Sequence, residues 1–518
     1  MSVRRSVALV AALAASTAAL MPITLGTASA APVPVHQAAD DEVVQLPAGR
    51  WEDSPIYAKW QALGGASFAG DKVGDEIYLS NGIRWAKFAK YDIVITWKEG
   101  LGAHWMSGAI SRLWQPGDAI VKSAATMDQV PVSRGSQAGA AIAYDTGYSV
   151  YYSDAYGAYA VAGKQRDKYW ANGSVTGKFG WPISDQIAMA DNGGVEQRFS
   201  EAVSLFQQVP SESETYWISG ALRDEYREKG GPNGFGWLTR DQVAEAGNGW
   251  SAQAAKGSIY WSASTGAHAL SDFSTGGYVN KGGPNGHLGY PTTDTSEHDG
   301  GETTDFSTGK TLYARVQSSG FMWMGGRVRD TYDVNGGTAG PLGWPRSDQT
   351  PAPGTDGQYV RFGDNFDKVI LWGPRTGGSV VGGPILQRLR ADGDVAVYGL
   401  PQYGEMTTGE YRFQQFEKAT VFVRGSNVYT LGWDFRAGWW QTGGTQSPLG
   451  MVASDMYLVA NNVIQQEFVN GWITCDYNVG ECYYDLKQSA AQATSKPTLE
   501  QAREKGTKFR ATGSGPRK

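Results

Sequence analysis

A period of about 53 residues constrains this chain more than any other feature of its sequence. An acidic residue recurs at Asp75, Asp128, Asp185, Asp241, Asp294, Asp348, Glu405 and Asp455, at spacings of 53, 57, 56, 53, 54, 57 and 50. Chance does not hold eight acids to such an interval, and regular self-similarity is the signature of a repeat architecture. Each acid closes a marker: an aromatic or Leu, then Gly, then often an aromatic and Pro. It reads FGWPISDQ at 179–186, FGWLTRDQ at 235–242, LGYPTTDT at 288–295 and LGWPRSDQ at 342–349. YGLPQYGE at 398–405 and LGMVASDM at 449–456 are weaker copies, and AGDKVGDE at 69–76 and TMDQ around Asp128 are worn ones.

Other features keep step with the marker. Upstream lies Arg-Asp-x-Tyr at 166–169, 223–226 and 329–332, whose spacing suits a two-turn helix with one buried face. A glycine turn follows, GGPNG at 230–234 and 282–286 or GGTAG at 336–340. Some 13 residues after the acid stands an aromatic: Phe88, Tyr144, Phe199, Phe306, Phe362, Phe416 and Phe468, with Ala255 in the fourth copy. Alternating apolar runs such as SLFQQV, GSIYWSA and KVILWG then predict two or three short strands. The units are 56–108, 109–163, 164–220, 221–272, 273–326, 327–383, 384–434 and 435–486. Residues 31–55 form a leader and 487–518 a polar, basic tail expected to fray, with a helix from Thr498 to Lys505.

One such unit cannot bury enough apolar surface to stand alone, so neighbours must cover one another. The expected fold is mainly β with short helices, the tandem units closing into a pseudo-symmetric, propeller-like ring. A ring plus an extension, or an open array, are the alternatives.

Residues 1–30 read as a signal peptide: Arg4 and Arg5, an apolar run from Val7 to Leu20, and Ala28-Ser29-Ala30 before a mature start near Ala31. Export follows, with the product extracellular or held non-covalently at the cell wall. Without those two arginines the formal charge falls from −6 to −8. An acidic chain lacks the basic footprint that nucleic acid or anionic lipid requires, and no later stretch is long and apolar enough for a membrane span. Cys475 and Cys482, the only cysteines, read as one disulfide closing a hairpin in an exported protein. Two thiols and five scattered histidines do not make a zinc site, and no metal or cofactor is implied.

The recurring FGWP, LGYP and LGWP, with their upstream helix and downstream aromatic strands, resemble the LGFP repeat of secreted actinobacterial proteins. The resemblance is best over 164–383, fair over 384–486 and weak over 56–163. It implies a role on the cell wall, because LGFP arrays are appended to amidases and mycolyltransferases and are thought to hold them on wall polysaccharide. It also implies a ring with short strands. Here eight units fill the chain and no enzyme domain accompanies them.

Catalytic motifs do not emerge. There is no HExxH, no G-x-S-x-G, no P-loop and no dinucleotide fingerprint. Carboxylate pairs such as Asp75 with Glu76, or Glu297 with Asp299, leave a glycosidase or esterase in the worn units 56–163 as an alternative. The candidate ligand-binding residues are the loop aromatics Trp181, Trp237, Tyr290 and Trp344, able to stack on a sugar face, and the acids Asp185, Asp241, Asp294 and Asp348. Packing of the rings on a neighbouring unit, and backbone bonds from the acids, are the competing roles. Trp217, Trp261, Trp323 and Trp372 are assigned to the inter-unit core, and Arg166, Arg223 and Arg329 to nearby acids. The expected function is non-catalytic binding of an arabinogalactan-like or peptidoglycan-associated glycan. A propeller that binds a secreted enzyme or inhibitor is a further alternative.

Overall fold

The structure is a computed structural model describing residues 49–114, 123–189, 193–208, 214–315, 320–487 and 496–510. The predicted signal peptide and most of the leader lie outside the described residues.

Eight antiparallel sheets follow one another along the chain, each a meander in sequence order. They occupy 72–106, 130–162, 187–219, 243–271, 296–325, 350–382, 406–432 and 457–486, and are called sheets 1 to 8. Sheets 1 to 7 have four strands, and sheet 8 gains a fifth, Thr507–Arg510. A short helix runs into each sheet, for example Gly163–Ala171 before sheet 3 and Gly326–Val334 before sheet 6. Four strands per unit exceed the two or three expected. The additional one is the first, which is only Ile187–Met189, Val243–Glu245 or Thr350–Pro351 in sheets 3, 4 and 6. Runs so short carry no readable alternation.

Both faces of a sheet are buried, because successive residues of a strand point to opposite sides. In the third strand of sheet 6, Lys368–Gly373, Val369 and Leu371 join a core with Ile385, Leu389 and Val421. Ile370 and its half-buried neighbour Trp372 join another, with Val328, Tyr332 and Trp344. Seven cores of this kind lie between consecutive sheets. An eighth sits where the helix Pro55–Ala62 and Trp60 cover sheet 1. None of these cores joins sheet 8 to sheet 1, and no closed ring is detected among the described residues. The strand tryptophans Trp217, Trp261, Trp323 and Trp372 all lie at inter-sheet cores.

The tail differs from expectation. Thr498 and Gln501 form a capping box at the start of the helix Leu499–Lys505. That helix buries Ala502, and the strand after it pairs with Glu481–Leu486 while Phe509 packs against Gly438. Two apolar anchors in a polar segment are too few to read as docking. Within sheet 8, Cys475 and Cys482 face each other across a hairpin and form the disulfide.

Candidate functional site in the marker loops

Each marker loop leaves a helix, crosses to the next sheet and touches the sheet behind it. Its glycine is fixed first. Gly180, Gly236, Gly289 and Gly343 have φ between 64° and 86°, a left-handed conformation that glycine adopts without steric cost. Their carbonyls each accept a 2.7 Å hydrogen bond from a helix tyrosine hydroxyl, from Tyr169, Tyr226, Tyr278 and Tyr332 respectively. Burial pushes these phenols up, so they remain donors. In sheet 1's unit the Trp60 indole donates to Gly70 in the same way, at 3.0 Å. The residue at the proline position then bridges to the downstream aromatic, as Pro182 does to Phe199, Pro291 to Phe306 and Pro345 to Phe362. In the fourth unit Leu238 bridges to Ala254, so the structural equivalent is Ala254, one residue before the Ala255 given by the spacing.

The loop aromatics pack backward. A Cβ on Gly139, Gly194 or Gly301 would fall 2.5, 2.0 or 2.5 Å from the indole of Trp181, Trp237 or Trp344, and one on Gly249 would meet the Tyr290 hydroxyl at 2.0 Å. Each of these glycines lies in the second strand of the preceding sheet. The absent side chain makes the space that the ring fills. Trp181 and Trp344 are 1% and 5% exposed, whereas Trp237 and Tyr290 are half-buried. Trp344 Nε1 donates to Asp299 O at 3.2 Å, and the Tyr290 hydroxyl donates to Ala246 O at 2.5 Å.

The acids also reach backward. Asp185, Asp241, Asp294 and Asp348 accept, through Oδ1, the backbone N–H of Ala160, Trp217, Ala269 and Trp323, at 2.9 to 3.1 Å. All four donors lie on the fourth, outer strand of the preceding sheet, an edge that would otherwise present unpaired backbone groups. In Asp241, Asp294 and Asp348 the other carboxylate oxygen takes a cation from the helix packed on that same sheet or from the residue that ends it. Lys168 reaches Asp241 at 2.7 Å, Lys281 reaches Asp348 at 2.6 Å, and Lys229 pairs with Asp294. Burial alone would push the Asp294 carboxyl up. Lys229, the Ala269 N–H and His268 outweigh it and hold the group below the ordinary carboxylate range.

The second worn unit and the weaker last one keep this clamp. Asp128 accepts from the Trp105 N–H at 3.3 Å and from Lys59 at 2.6 Å. Asp455 holds the Thr430 N–H and Arg388, at 2.8 and 2.7 Å. Glu405 breaks the pattern and accepts instead from Arg412, at 2.8 Å. Asp75 and Glu76 lie on the first strand of sheet 1, and Asp299 accepts from Thr338. Arg166 and Arg223 contact Asp167 and Asp224, and Arg329 contacts Asp305.

A role unassigned from the sequence belongs to the residue after the acid. Gln129, Gln242 and Gln349 donate their N–H to the same outer-strand residue, as Gln349 does to Trp323 O at 2.9 Å. Their side-chain oxygens accept the N–H two residues further along, from Ser107, Ser219 and Gly325. The Asp-Gln pair thus seals the outer edge. Its recurrence in three markers and in TMDQ was the available signal.

Among the described residues no cluster of three or more His, Cys, Asp or Glu is placed to hold a metal, and no helix is long and apolar enough to cross a membrane.

The fold and loops therefore define a tandem array of four-stranded units, most of them clamped to the one before. The family model for the LGFP repeat matches residues 179–234, 288–340 and 342–394. These three stretches, about a third of the chain, are thus LGFP repeats. The segment between the first two matches holds the unit with Leu238 and Ala254 in place of Pro and Phe. No curated protein matches the chain. Similar solved structures include BamB from Moraxella catarrhalis, 10% identical over 81% of this chain and 98% of that one, with a TM-score of 0.12. A chain of the mitotic checkpoint complex is 8% identical over 65% and 82%, with a TM-score of 0.11. The extracellular domain of the putative one component system BT4673 from B. thetaiotaomicron is 9% identical over 82% and 64%, with a TM-score of 0.13. Similarity at this level carries no argument about how the eight sheets are arranged.

Proposed function

We propose that this chain is a secreted, non-catalytic protein that binds cell-wall polysaccharide. The LGFP repeats carry the reading. The disulfide in sheet 8 is consistent with an extracellular setting. Packing bears on where binding occurs. Trp181 and Trp344 are enclosed between units, and only Trp237 and Tyr290 among the loop aromatics keep part of their surface. Four equivalent rings are therefore not equally available, and the ligand is proposed to meet the surface beside the helices and outer strands. The second worn unit shares the clamp of the others through Asp128.

The test is sedimentation of the purified mature chain with cell-wall arabinogalactan and with peptidoglycan sacculi. Retention that free oligosaccharide competes away is the expected result. Failure to sediment with either material would refute the proposal.

A further inference from the structure

The clamp that joins consecutive units is missing after sheet 6, and three changes coincide there. The helix packed on that sheet, Gly326–Val334, has Thr331 as its sixth residue, where the helices Gly163–Ala171 and Gly383–Ala391 carry Lys168 and Arg388. Its tenth position is Asn335, where two other units place Lys229 and Lys281. The loop acid is Glu405, turned to Arg412 rather than to the outer strand. In that strand, Gly377–Gly382, the fourth residue before the next helix is Ser379, where sheets 3, 4, 5 and 7 have Tyr216, His268, Met322 and Tyr429. Cation, short acid and bulky strand residue are lost together.

A groove occupies their place. Two adjoining recesses of about 510 and 520 Å³ share Thr331, Asn335 and Gly378. Each falls within the roughly 300–1,000 Å³ of ligand pockets, and two in a row suit a short polymer. The first is lined by Ser379, Lys368, Glu405 and Arg412, and the second by Trp372, Pro374 and Val334, which is 88% exposed.

The lining favours a neutral, hydroxyl-rich ligand. Its charges are mostly matched internally, Glu405 with Arg412 at 2.8 Å and Arg327 with Asp330 at 3.3 Å. Lys368 Nζ donates to Pro341 O at 2.7 Å. Carboxylate, guanidinium, amide and hydroxyl groups offer donors and acceptors in alternation, and the half-buried Trp372 beside Pro374 offers an apolar wall for a sugar C–H face. An extended peptide adding to the strand edge is disfavoured, because the Val380 carbonyl in mid-strand already accepts from Gln414 Nε2 at 3.0 Å. We infer that the groove between the helix Gly326–Val334, the outer strand of sheet 6 and Arg412 is a binding cleft for a short run of neutral sugar residues. This rests on the wall-binding reading and locates its site.

The experiment restores the clamp. Thr331→Lys with Glu405→Asp installs the residue types found in the other units and fills the first recess. Retention on purified arabinogalactan should fall about tenfold or more, a loss of about 1.4 kcal/mol or more, while the melting temperature holds or rises. Asn335→Ala, which removes a groove amide whose Nδ2 also donates to Thr331 O at 2.8 Å, should weaken retention severalfold without changing the fold by circular dichroism. If the parent chain binds and both variants bind equally well, the cleft is refuted and the wall-binding reading stands. If the parent chain is not retained, both fall together. If retention is lost once stem peptides are cut from sacculi and is absent on the glycan alone, the sugar assignment is overturned.

Discussion

Replacing Gly301 with alanine tests whether the loop aromatics hold the units together. Gly301 begins the second strand of sheet 5 and lacks the positive φ that would itself penalise a side chain. The cost of Gly301→Ala is therefore spatial. The new methyl would sit 2.5 Å from Trp344 Cη2, 2.6 Å from Cζ2 and 2.8 Å from the Ala314 carbonyl. Trp344 has little room to retreat, since it is enclosed by Tyr313, Tyr332 and Phe362 and its indole N–H is bonded to Asp299 O. Overpacking of this kind costs about 1–3 kcal/mol. Native-state hydrogen exchange is the suitable assay, because a repeat array need not unfold as one unit. Amides of 301–305 and 358–362 should lose about 5- to 150-fold in protection. In a Trp344→Leu background, already weakened by about 2–4 kcal/mol, the same alanine should cost less, only the Ala314 carbonyl contact remaining, giving a coupling of about 1 kcal/mol. An unchanged exchange rate in the single variant, or an equal penalty in both backgrounds, would refute the ring-on-glycine packing.

Further outcomes follow from the clamps. Asp294→Asn should destabilise the junction of sheets 4 and 5 at neutral pH. Because the folded carboxyl titrates below its ordinary value, that contribution is present above about pH 4 and is lost as pH falls through the folded value. Urea melts of both proteins should therefore converge as the pH falls, and a gap that stays constant with falling pH would contradict the clamp. Tyr332→Phe leaves the Gly343 carbonyl without its donor and should cost about 1–3 kcal/mol, read as exchange at the loop 342–349. Removing the disulfide with Cys475→Ser and Cys482→Ser should cost about 2.5 kcal/mol by loop entropy. Exchange should rise in sheet 8 and stay unchanged in sheets 1 to 5.

The unit period was legible because acid, glycine and helix tyrosine are each fixed by one contact in the four strongest units. The marker acids other than Asp75 and Glu405 reach the outer strand of the preceding sheet, and that reach sets their spacing. The disulfide was legible for the simpler reason that two cysteines flank one turn. The first strand of each sheet was not, since three residues such as Val243–Glu245 show no alternation. Nor was the direction of ring packing. A tryptophan between Gly and Pro reads alike whether it faces a ligand or a glycine far behind it in sequence, and Gly139, Gly194 and Gly301 look like ordinary turn residues until paired with their rings. The groove was hidden for the opposite reason: its signal is an absence, at Thr331, Asn335, Ser379 and Glu405 together, visible only once the clamp is known. In this chain the repeated residues build the array, and the groove is proposed where they lapse.

The most direct measurement is a hydrogen-exchange footprint of bound arabinogalactan on the intact mature chain. The account predicts added protection confined to 331–335, 377–382 and 404–412, with the marker loops at 181–186, 237–242, 290–295 and 344–349 unchanged. Protection repeated at all four loops, with none in the groove, would contradict it and return the binding site to the recurring aromatics.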